Sequence, residues 1–236
     1  MKLLKLAGAA FALVVSTQAL AIGRLADVSV IDRASGRTLP VHWHRGQAYV
    51  VGKPGHEYRI LVRSRDGGDV LAVMSVDGVN VITGESAHPR QRGYVIGPRG
   101  RLAVDGWRKS LQRTAAFYFT ELPDSYAART GRPEDVGVIG VALFRRKAEP
   151  PQAISGIASE PRAAAGDSAK AEESLGTGHG RSETSYARHV TFERATEHPA
   201  ETITLRYDSY RNLLAMGVIR ETPPHPRPFP GFVPDA

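Results

Sequence analysis

The residues of this chain best placed to bind a metal ion are two histidines, His42 and His44. They stand at positions i and i+2, so in a β-strand both side chains point to one face and Trp43 points to the other. His56 or His189 could supply a third ligand, but the chain has no cysteine to complete a zinc site. A histidine pair on an exposed edge strand is the simpler interpretation, and no metal or other cofactor is predicted.

Nucleophilic catalysis would need a serine beside a base that a third group orients. The chain has no G-x-S-x-G motif, although His179 and Ser182 lie close together in sequence. His179 belongs to a glycine-rich run from Gly176 to Gly180, which lacks the lysine of a phosphate-binding P-loop and precedes no long helix. We interpret these glycines as allowing a close approach of the backbone before a strand.

Several carboxylic acids could form the acid and base pair of a glycoside hydrolase. Each also has a simpler local role, because some precede glycines in turns and one precedes a predicted helix. No catalytic residue is predicted, and an enzyme that hydrolyses carbohydrate remains an alternative. The acids considered are Asp77, Glu85, Asp105, Asp124 and Glu134.

Arginines beside aromatic residues in loops are typical of a binding surface. A competing interpretation is that Trp107 fills one end of the fold and Arg108 pairs with a neighbouring acid. The predicted binding residues are Arg90, Arg92, Tyr94, Trp107, Arg108 and Lys109.

The first residues have the pattern of a secretory signal peptide. Lys2 and Lys5 precede an apolar run from Leu6 to Val15, which is shorter than the ~20 residues that span a bilayer. An A-x-A cleavage site ends at Ala21, so the mature chain is expected to begin at Ile22. We expect a periplasmic or extracellular protein with no transmembrane segment and, without cysteine, no lipoprotein anchor.

The formal charge of the chain is +7, which falls to +5 when Lys2 and Lys5 are removed. Most of the excess is arginine, which suits contact with an anionic envelope component such as lipopolysaccharide phosphates or acidic polysaccharide. The arginines are scattered, so a basic protein without such a partner is an equal alternative. Nucleic acid is not among the predicted partners, and the oligomeric state is not determined.

Alternating apolar residues predict strands in the stretch from Glu57 to Thr83. Apolar side chains recur at every second position from Tyr58 to Val62 and from Val70 to Val76. The breaks at Asp66-Gly67-Gly68 and Asp77-Gly78 are hairpin signals. We expect three strands in an antiparallel meander, which the rest of the chain covers.

Many short strands separated by turns predict a mainly β fold, an antiparallel β-sandwich or partly open barrel with one or two short helices. The further elements expected include strands at Thr114 to Thr120 and Thr184 to Arg194, a central strand buried on both faces at Val136 to Phe144, a helix capped by Asp124 and ended by Gly131, and a helix from Ser209 to Met216.

The composition divides the chain into five segments. Residues 1–21 are the signal peptide and 22–146 the β-sandwich core. Residues 147–175, rich in alanine, serine and glutamate, are predicted as a disordered linker. Residues 176–221 supply C-terminal strands and a short helix that pack on the same core, and 222–236 form a proline-rich tail.

Four segments resemble a family of proteins exported by Gram-negative bacteria: GYVIGP from Gly93, GWRKS from Gly106, DSYAARTGRPEDVGVIGVALF from Asp124 and GTGHGRSE from Gly176. The resemblance implies export. It implies no activity, ligand or catalytic residue, because none is assigned to that family.

The leading functional hypothesis is an exported, non-catalytic β-sandwich that binds a partner protein or an envelope component. One alternative is a periplasmic hydrolase acting on carbohydrate. Another is an accessory protein of a secretion or surface assembly that uses an edge strand.

Overall fold

The computed structural model describes residues 21–132, 134–148 and 175–220. These residues form two stacked β-sheets and two short helices, and neither sheet closes into a barrel. The predicted mainly β fold with a β-sandwich architecture is confirmed. The predicted signal peptide up to residue 20, residues 149–174 of the predicted linker and the tail from residue 221 lie outside the described residues.

The strands are short, as the spacing of turn residues predicts. In chain order they are β1 (Ala26–Asp32), β2 (His42–His44), β3 (Gln47–Gly52), β4 (Glu57–Ser64), β5 (Val70–Val76), β6 (Val79–Asn80), β7 (Tyr94–Ile96), β8 (Arg101–Val104), β9 (Gly106–Arg108), β10 (Arg113–Glu121), β11 (Val138–Arg145), β12 (Leu175–Thr184) and β13 (Glu201–Ser209).

The front sheet has the order β1-β4-β10-β12, with β8 pairing with β4 and β9 pairing with β10. The back sheet has the order β2-β3-β13-β11-β5-β6, with β7 pairing with β5. Neighbouring strands are antiparallel except for β3 and β13, which are parallel. The two C-terminal strands thus pair with different sheets, β12 with β10 and β13 with β11.

The predicted meander is wrong in its first half. Strands β4 and β5 do not pair, because the chain between them crosses from the front sheet to the back sheet. Stacked sheets lie about 10 Å apart, a distance that the five residues from Arg65 to Asp69 can span. The second half is confirmed, since β5 and β6 form a hairpin through Asp77 and Gly78, both at positive φ.

The interior between the sheets is aromatic at its centre. Tyr58 of β4 stacks on Phe119 and Phe117 of β10, with ring centroids 4.3 and 5.4 Å apart. All three side chains are fully buried. Stacked aromatic pairs contribute about 0.5–1.5 kcal/mol beyond their buried area, so this cluster fixes how β4 and β10 face the back sheet.

Strand β11 is the predicted central strand, and it lies between β13 and β5. Residues of both of its faces are buried, with Leu143 facing the interior and Phe144 the outer side of the back sheet. Phe192, from the segment after β12, packs against Phe144 on that outer side.

The prediction of a strand from Thr184 to Arg194 is wrong. The strand ends at Thr184, and residues 185–193 form no strand. This segment instead crosses from the front sheet to the back sheet: Ser185 donates its N–H to Gln112, and Ala195 donates to Arg145.

Both helices are present and short. Helix α1 (Tyr126–Arg129) is capped by Ser125, whose Oγ accepts the N–H of Ala128 at 3.1 Å, so the predicted cap at Asp124 is wrong. Asp124 instead lies in the preceding 3₁₀ turn. Helix α2 (Tyr210–Ala215) is capped by Ser209. No helix in the described part of the chain is long and apolar enough to cross a bilayer.

Candidate anion-binding surface

Two arginines lie directly opposite each other on neighbouring strands of the front sheet. Arg63 of β4 is the register partner of Arg101 of β8. Directly opposite residues share one face of a sheet. Both arginines are exposed, whereas Val62 and Ser64 on either side of Arg63 are buried. The two side chains therefore leave the outer face of the front sheet at adjacent positions.

The nearest carboxylate in the sheet does not neutralise this pair. Asp27 of β1 lies opposite Arg63 on the other side of β4. Both oxygens of Asp27 bind Arg65, which donates from Nε at 3.0 Å and from a terminal nitrogen at 2.5 Å. Like charges directly opposite each other cost about 0.2–1 kcal/mol, so an external anion would be stabilising at this position.

A third arginine lies at the turn that leads into β8. Gly100 donates its N–H to the carbonyl of Gly97 at 2.9 Å, which closes a four-residue turn with Pro98 second and Arg99 third. Arg99 has a φ of 53°, a conformation in which glycine or asparagine is favoured. A side chain there costs about 1 kcal/mol, and the result is a third cation at the same end of the front sheet.

We call Arg63, Arg99 and Arg101 the arginine triplet. Among residues 21–132, 134–148 and 175–220, no carboxylate forms an ion pair with any of the three, and the adjacent acid Asp27 pairs with Arg65 instead. The triplet therefore places three positive charges without a carboxylate partner at one end of the front sheet.

A shallow cavity of about 390 Å³ lies on the other side of the turn between β4 and β5. The carbonyl of Asp66 in this turn accepts the N–H of Arg99 at 3.0 Å, which joins the cavity to the triplet. The cations that line the cavity are paired, Arg145 with Asp66 at 2.8 Å and Arg146 with Asp69 at 3.1 Å. The cavity wall is thus close to neutral, in contrast to the triplet.

A second cavity of about 400 Å³ adjoins the first and shares Lys147 with it. Lys147 pairs with Glu193. Arg194 lies over the ring of Phe144 at 4.4 Å and donates to the carbonyl of Gln91 at 2.7 Å. Partial burial lowers the pKa of Arg194 from its usual value, and these contacts hold the guanidinium against the protein.

The residues predicted as a binding surface lie in different surroundings. Trp107 is 3% exposed, and its indole N–H donates to the carbonyl of Gly178 at 3.3 Å. Arg108 donates to the hydroxyl of Tyr94 at 3.1 Å and to both the carbonyl and the hydroxyl of Ser185. The guanidinium of Arg108 is therefore largely occupied by the protein itself, through neutral groups and not through an acid.

The three remaining predicted residues lie in separate surroundings. Arg90 lines the second cavity and lies 3.8 Å from Glu197. The carbonyl of Arg92 accepts the side-chain amide of Asn80. Lys109 lies near His179, and together with burial its charge lowers the pKa of that histidine. The structure thus brings Tyr94 and Arg108 together but does not gather the six residues around one pocket.

The outer face of the front sheet carries paired charges at the end away from the arginine triplet. Arg33 lies 3.1 Å from Glu57 and 2.9 Å from Glu183. Arg181 binds both acids as well, at 2.7 Å from Glu57 and 2.8 Å from Glu183. The hydrogen bond from Arg181 and the charge of Arg33 lower the pKa of Glu57 despite its partial burial. This network satisfies its own charges and leaves none for a ligand.

The described histidines do not form a metal centre with other side chains. His42 and His44 lie on edge strand β2, as predicted, with Trp43 58% exposed. His56 instead binds Asp32, with Nδ1 at 2.7 Å from a carboxylate oxygen. Partial burial would raise the pKa of Asp32, but hydrogen bonds from His56 and Ser35 outweigh it and hold it at about 2. No group of three potential ligands gathers among the described residues.

The most buried acid is Asp77, in the turn between β5 and β6. Its carboxylate accepts the N–H of Gly137 at 2.9 Å, the N–H of Thr177 at 2.7 Å and the hydroxyl of Tyr207 at 2.5 Å. Because the single hydroxyl proton of Tyr207 is donated to Asp77, the hydroxyl oxygen of Tyr207 accepts a hydrogen bond from Thr177 at 2.6 Å. The hydroxyl of Thr177 in turn accepts a hydrogen bond from Tyr58 at 2.6 Å. These four side chains form a buried chain of hydrogen bonds.

Desolvation dominates the titration of Asp77. Burial raises its pKa to about 6, although the donors from Tyr207, Thr177 and Gly137 act in the opposite direction. Burial and the nearby charge of Asp77 raise the pKa of Tyr207 and Tyr58 well above the usual value. Since Asp77 is fully buried, this network links the sheets and is not open to a ligand.

Comparisons with protein-family models, with curated proteins and with solved structures give no match to this chain. The interpretation of the arginine triplet therefore rests on its own geometry.

The sequence contains a signal for the triplet that the predicted binding surface missed. Arginines occur at spacing R-x-R in Arg63-Ser64-Arg65 and again in Arg99-Gly100-Arg101. The first pair ends a strand and the second pair begins one. Only the register of β4 against β8 shows that the two pairs meet.

Proposed function

We propose that the protein is an exported, non-catalytic β-sandwich that binds an anionic component of the cell envelope through the end that carries the arginine triplet. The observation that supports this proposal is the direct opposition of Arg63 and Arg101 without a carboxylate partner. A rigid sheet holds both side chains, so little conformational entropy beyond their own rotamers is lost on binding.

Export is part of the proposal. The basic residues, the apolar run and the A-x-A site at the N-terminus are the features of a signal peptide. In the periplasm or outside the cell, phosphates of lipids and lipopolysaccharide and carboxylates of polysaccharides are the abundant anions. The net charge of the mature chain favours association with such surfaces.

The candidate acids give little support to a carbohydrate hydrolase. A general acid needs a raised pKa and access to substrate. Asp77 has the raised pKa but is fully buried. Asp105 is held in an ion pair by Arg59 at 2.7 Å. Asp77 therefore meets the first requirement but not the second.

The sheet edges of the described residues give little support to strand addition. Residues Ile22 and Thr38 bridge to β1 and cover part of its free edge. Strand β2 has three residues. On β12 the N–H of Thr177 is bound by Asp77, and a bulge interrupts the register with β10. Short, bulged and covered edges are the ways in which proteins prevent strand addition.

Incubation of the processed protein with envelope fractions, followed by sedimentation at physiological salt, tests the proposal. Binding to fractions that contain lipopolysaccharide or anionic lipid is expected, together with recovery of a chain that begins at Ile22. Absence of binding to every envelope fraction and to an array of acidic glycans would overturn the function. Retention of residues 1–21 would overturn the export that it requires.

A further inference from the structure

The geometry of Arg63 and Arg101 points to a more specific ligand, and this inference rests on the proposed function. We infer that the two arginines act as a clamp for a single phosphate group, with Arg99 adding charge at its rim. The group could be the phosphate monoester of a lipid headgroup, that of a phosphorylated sugar, or free phosphate, which share the same recognition chemistry.

The spacing of the strands permits both arginines to reach one small anion. Directly opposite residues of an antiparallel pair have Cα atoms about 4.5–5.5 Å apart, and Arg63 and Arg101 hold this relation. Both side chains are exposed on the same face. The residues of the row beside them on this face, Leu61 and Ala103, are also register partners and have no charge to compete for an anion.

The number of hydrogen-bond donors favours phosphate over carboxylate. Each guanidinium presents a planar fork of two parallel N–H groups. On a carboxylate, two forks must share the same two oxygens in one plane. A phosphate monoester or free phosphate has three or more terminal oxygens in tetrahedral directions, so each of two forks can bind an oxygen that the other does not use. Two adjacent arginines without other partners therefore match the larger oxyanion.

The neighbouring acid is prevented from competing with the ligand. Asp27 would be the natural partner of Arg63 across the β1–β4 pair. Arg65 binds both oxygens of Asp27 instead. Arg65 is therefore a positioning residue in this inference, since it keeps Asp27 away from Arg63 without itself meeting the phosphate.

Titration of the processed protein with inorganic phosphate, followed by NMR of the arginine side-chain N–H groups, tests the clamp. Saturable shifts are expected at Arg63 and Arg101, and acetate at the same ionic strength is expected to bind at least about tenfold more weakly. Equal responses to acetate and phosphate, or no saturable response at physiological salt, would overturn the phosphate clamp.

Variants with the same change in net charge locate the binding. The double variant R63Q/R101Q is expected to lower phosphate affinity by about tenfold or more. The matched control R37Q/R45Q removes two exposed arginines, one from the turn after β1 and one from the β2–β3 turn. It is expected to retain the affinity. Equal losses in both variants would show attraction by net charge alone and would overturn the clamp.

The source of the phosphate is read from parallel titrations with vesicles that contain phosphatidic acid, a phosphate monoester, and with lipopolysaccharide. Stronger binding to one of them by the unmodified protein, lost in R63Q/R101Q, identifies the source. Envelope binding that survives in R63Q/R101Q would overturn the clamp and leave the proposed function standing. Phosphate binding at Arg63 and Arg101 without any envelope binding would support the clamp and overturn the proposed function.

Discussion

The hydroxyl of Tyr207 donates a 2.5 Å hydrogen bond to the carboxylate of Asp77, 130 residues earlier in the chain. Both side chains are buried. The same carboxylate accepts the N–H of Thr177 from the front sheet. This one acid therefore joins β13 of the back sheet to β12, the edge strand of the front sheet.

Replacement of Tyr207 by phenylalanine is expected to lower the free energy of unfolding by about 1–3 kcal/mol. The variant leaves Asp77 and Thr177 each without one buried hydrogen bond, and unsatisfied buried groups are costly. Urea denaturation measures the change. Tyr210→Phe, at a tyrosine that is 49% exposed on α2, is the control and should change stability little. Equal effects of the two variants would contradict the buried network.

Stability is expected to depend on pH through Asp77. The folded-state pKa of about 6 lies above the ordinary value of 3.8, so between these values the folded chain binds the proton and the unfolded chain does not. The contribution of Asp77 is complete below about pH 4 and is lost as pH rises through about 6, a change of about 3 kcal/mol. Urea denaturation across this range, compared with Asp77→Asn, measures it.

Tyr207→Phe provides a second test of the same titration. The hydrogen bond from Tyr207 favours the ionised carboxylate, so its removal should raise the pKa of Asp77 and extend the loss of stability to higher pH. If the unmodified protein and both variants showed the same pH dependence between pH 4 and 7, Asp77 would not be the titrating group.

Gly106 is expected to tolerate no side chain. A Cβ at this position would lie 1.9 Å from the carbonyl oxygen of Ala115, a backbone atom of the paired strand. Gly106→Ala should therefore open the β9–β10 ladder and lower the midpoint of thermal unfolding strongly, by the equivalent of more than about 2 kcal/mol. Gly67→Ala, where no atom lies within 4 Å, is the control. A stable Gly106→Ala variant would contradict this strand pairing.

Arg108 distinguishes the predicted binding surface from the arginine triplet. Its donors are used by Tyr94 and Ser185, so Arg108→Gln should lower stability by about 1–3 kcal/mol and leave anion affinity unchanged. Arg37→Gln, at an exposed arginine in the turn after β1, is the control for the loss of one charge. A loss of anion affinity at unchanged stability would favour the surface predicted from the sequence.

Local patterns were enough to predict most of the strands but not their arrangement. Period-two apolar residues place β4 and β5 correctly, yet nothing local shows that the turn at Asp66 to Gly68 crosses between sheets. Asp77 was predicted as a turn residue, which is confirmed. Its buried carboxylate could not be predicted, because the partners Gly137, Thr177 and Tyr207 are 60 to 130 residues away.

The glycines of β12 show why that strand was missed. Gly176, Gly178 and Gly180 have low strand propensity, so the run was interpreted as irregular. In the structure these glycines lie at every second position of β12, on one of its faces. A Cβ at Gly178 would lie 2.1 Å from the ring of Tyr118. The ring takes the place that a side chain would occupy. The same dependence on a distant partner hid the pairing of Arg63 with Arg101.

The central claim is that uncompensated arginines at one end of the sandwich bind anionic envelope surfaces. The most direct measurement is the affinity of the processed protein for phosphatidylglycerol vesicles and for neutral phosphatidylcholine vesicles as salt is raised. We predict binding to the anionic vesicles only, which weakens as salt screens the charges, and at least about tenfold weaker binding by R63Q/R101Q than by R37Q/R45Q. Equal binding to both kinds of vesicle, binding that does not change with salt, or no binding would contradict the account.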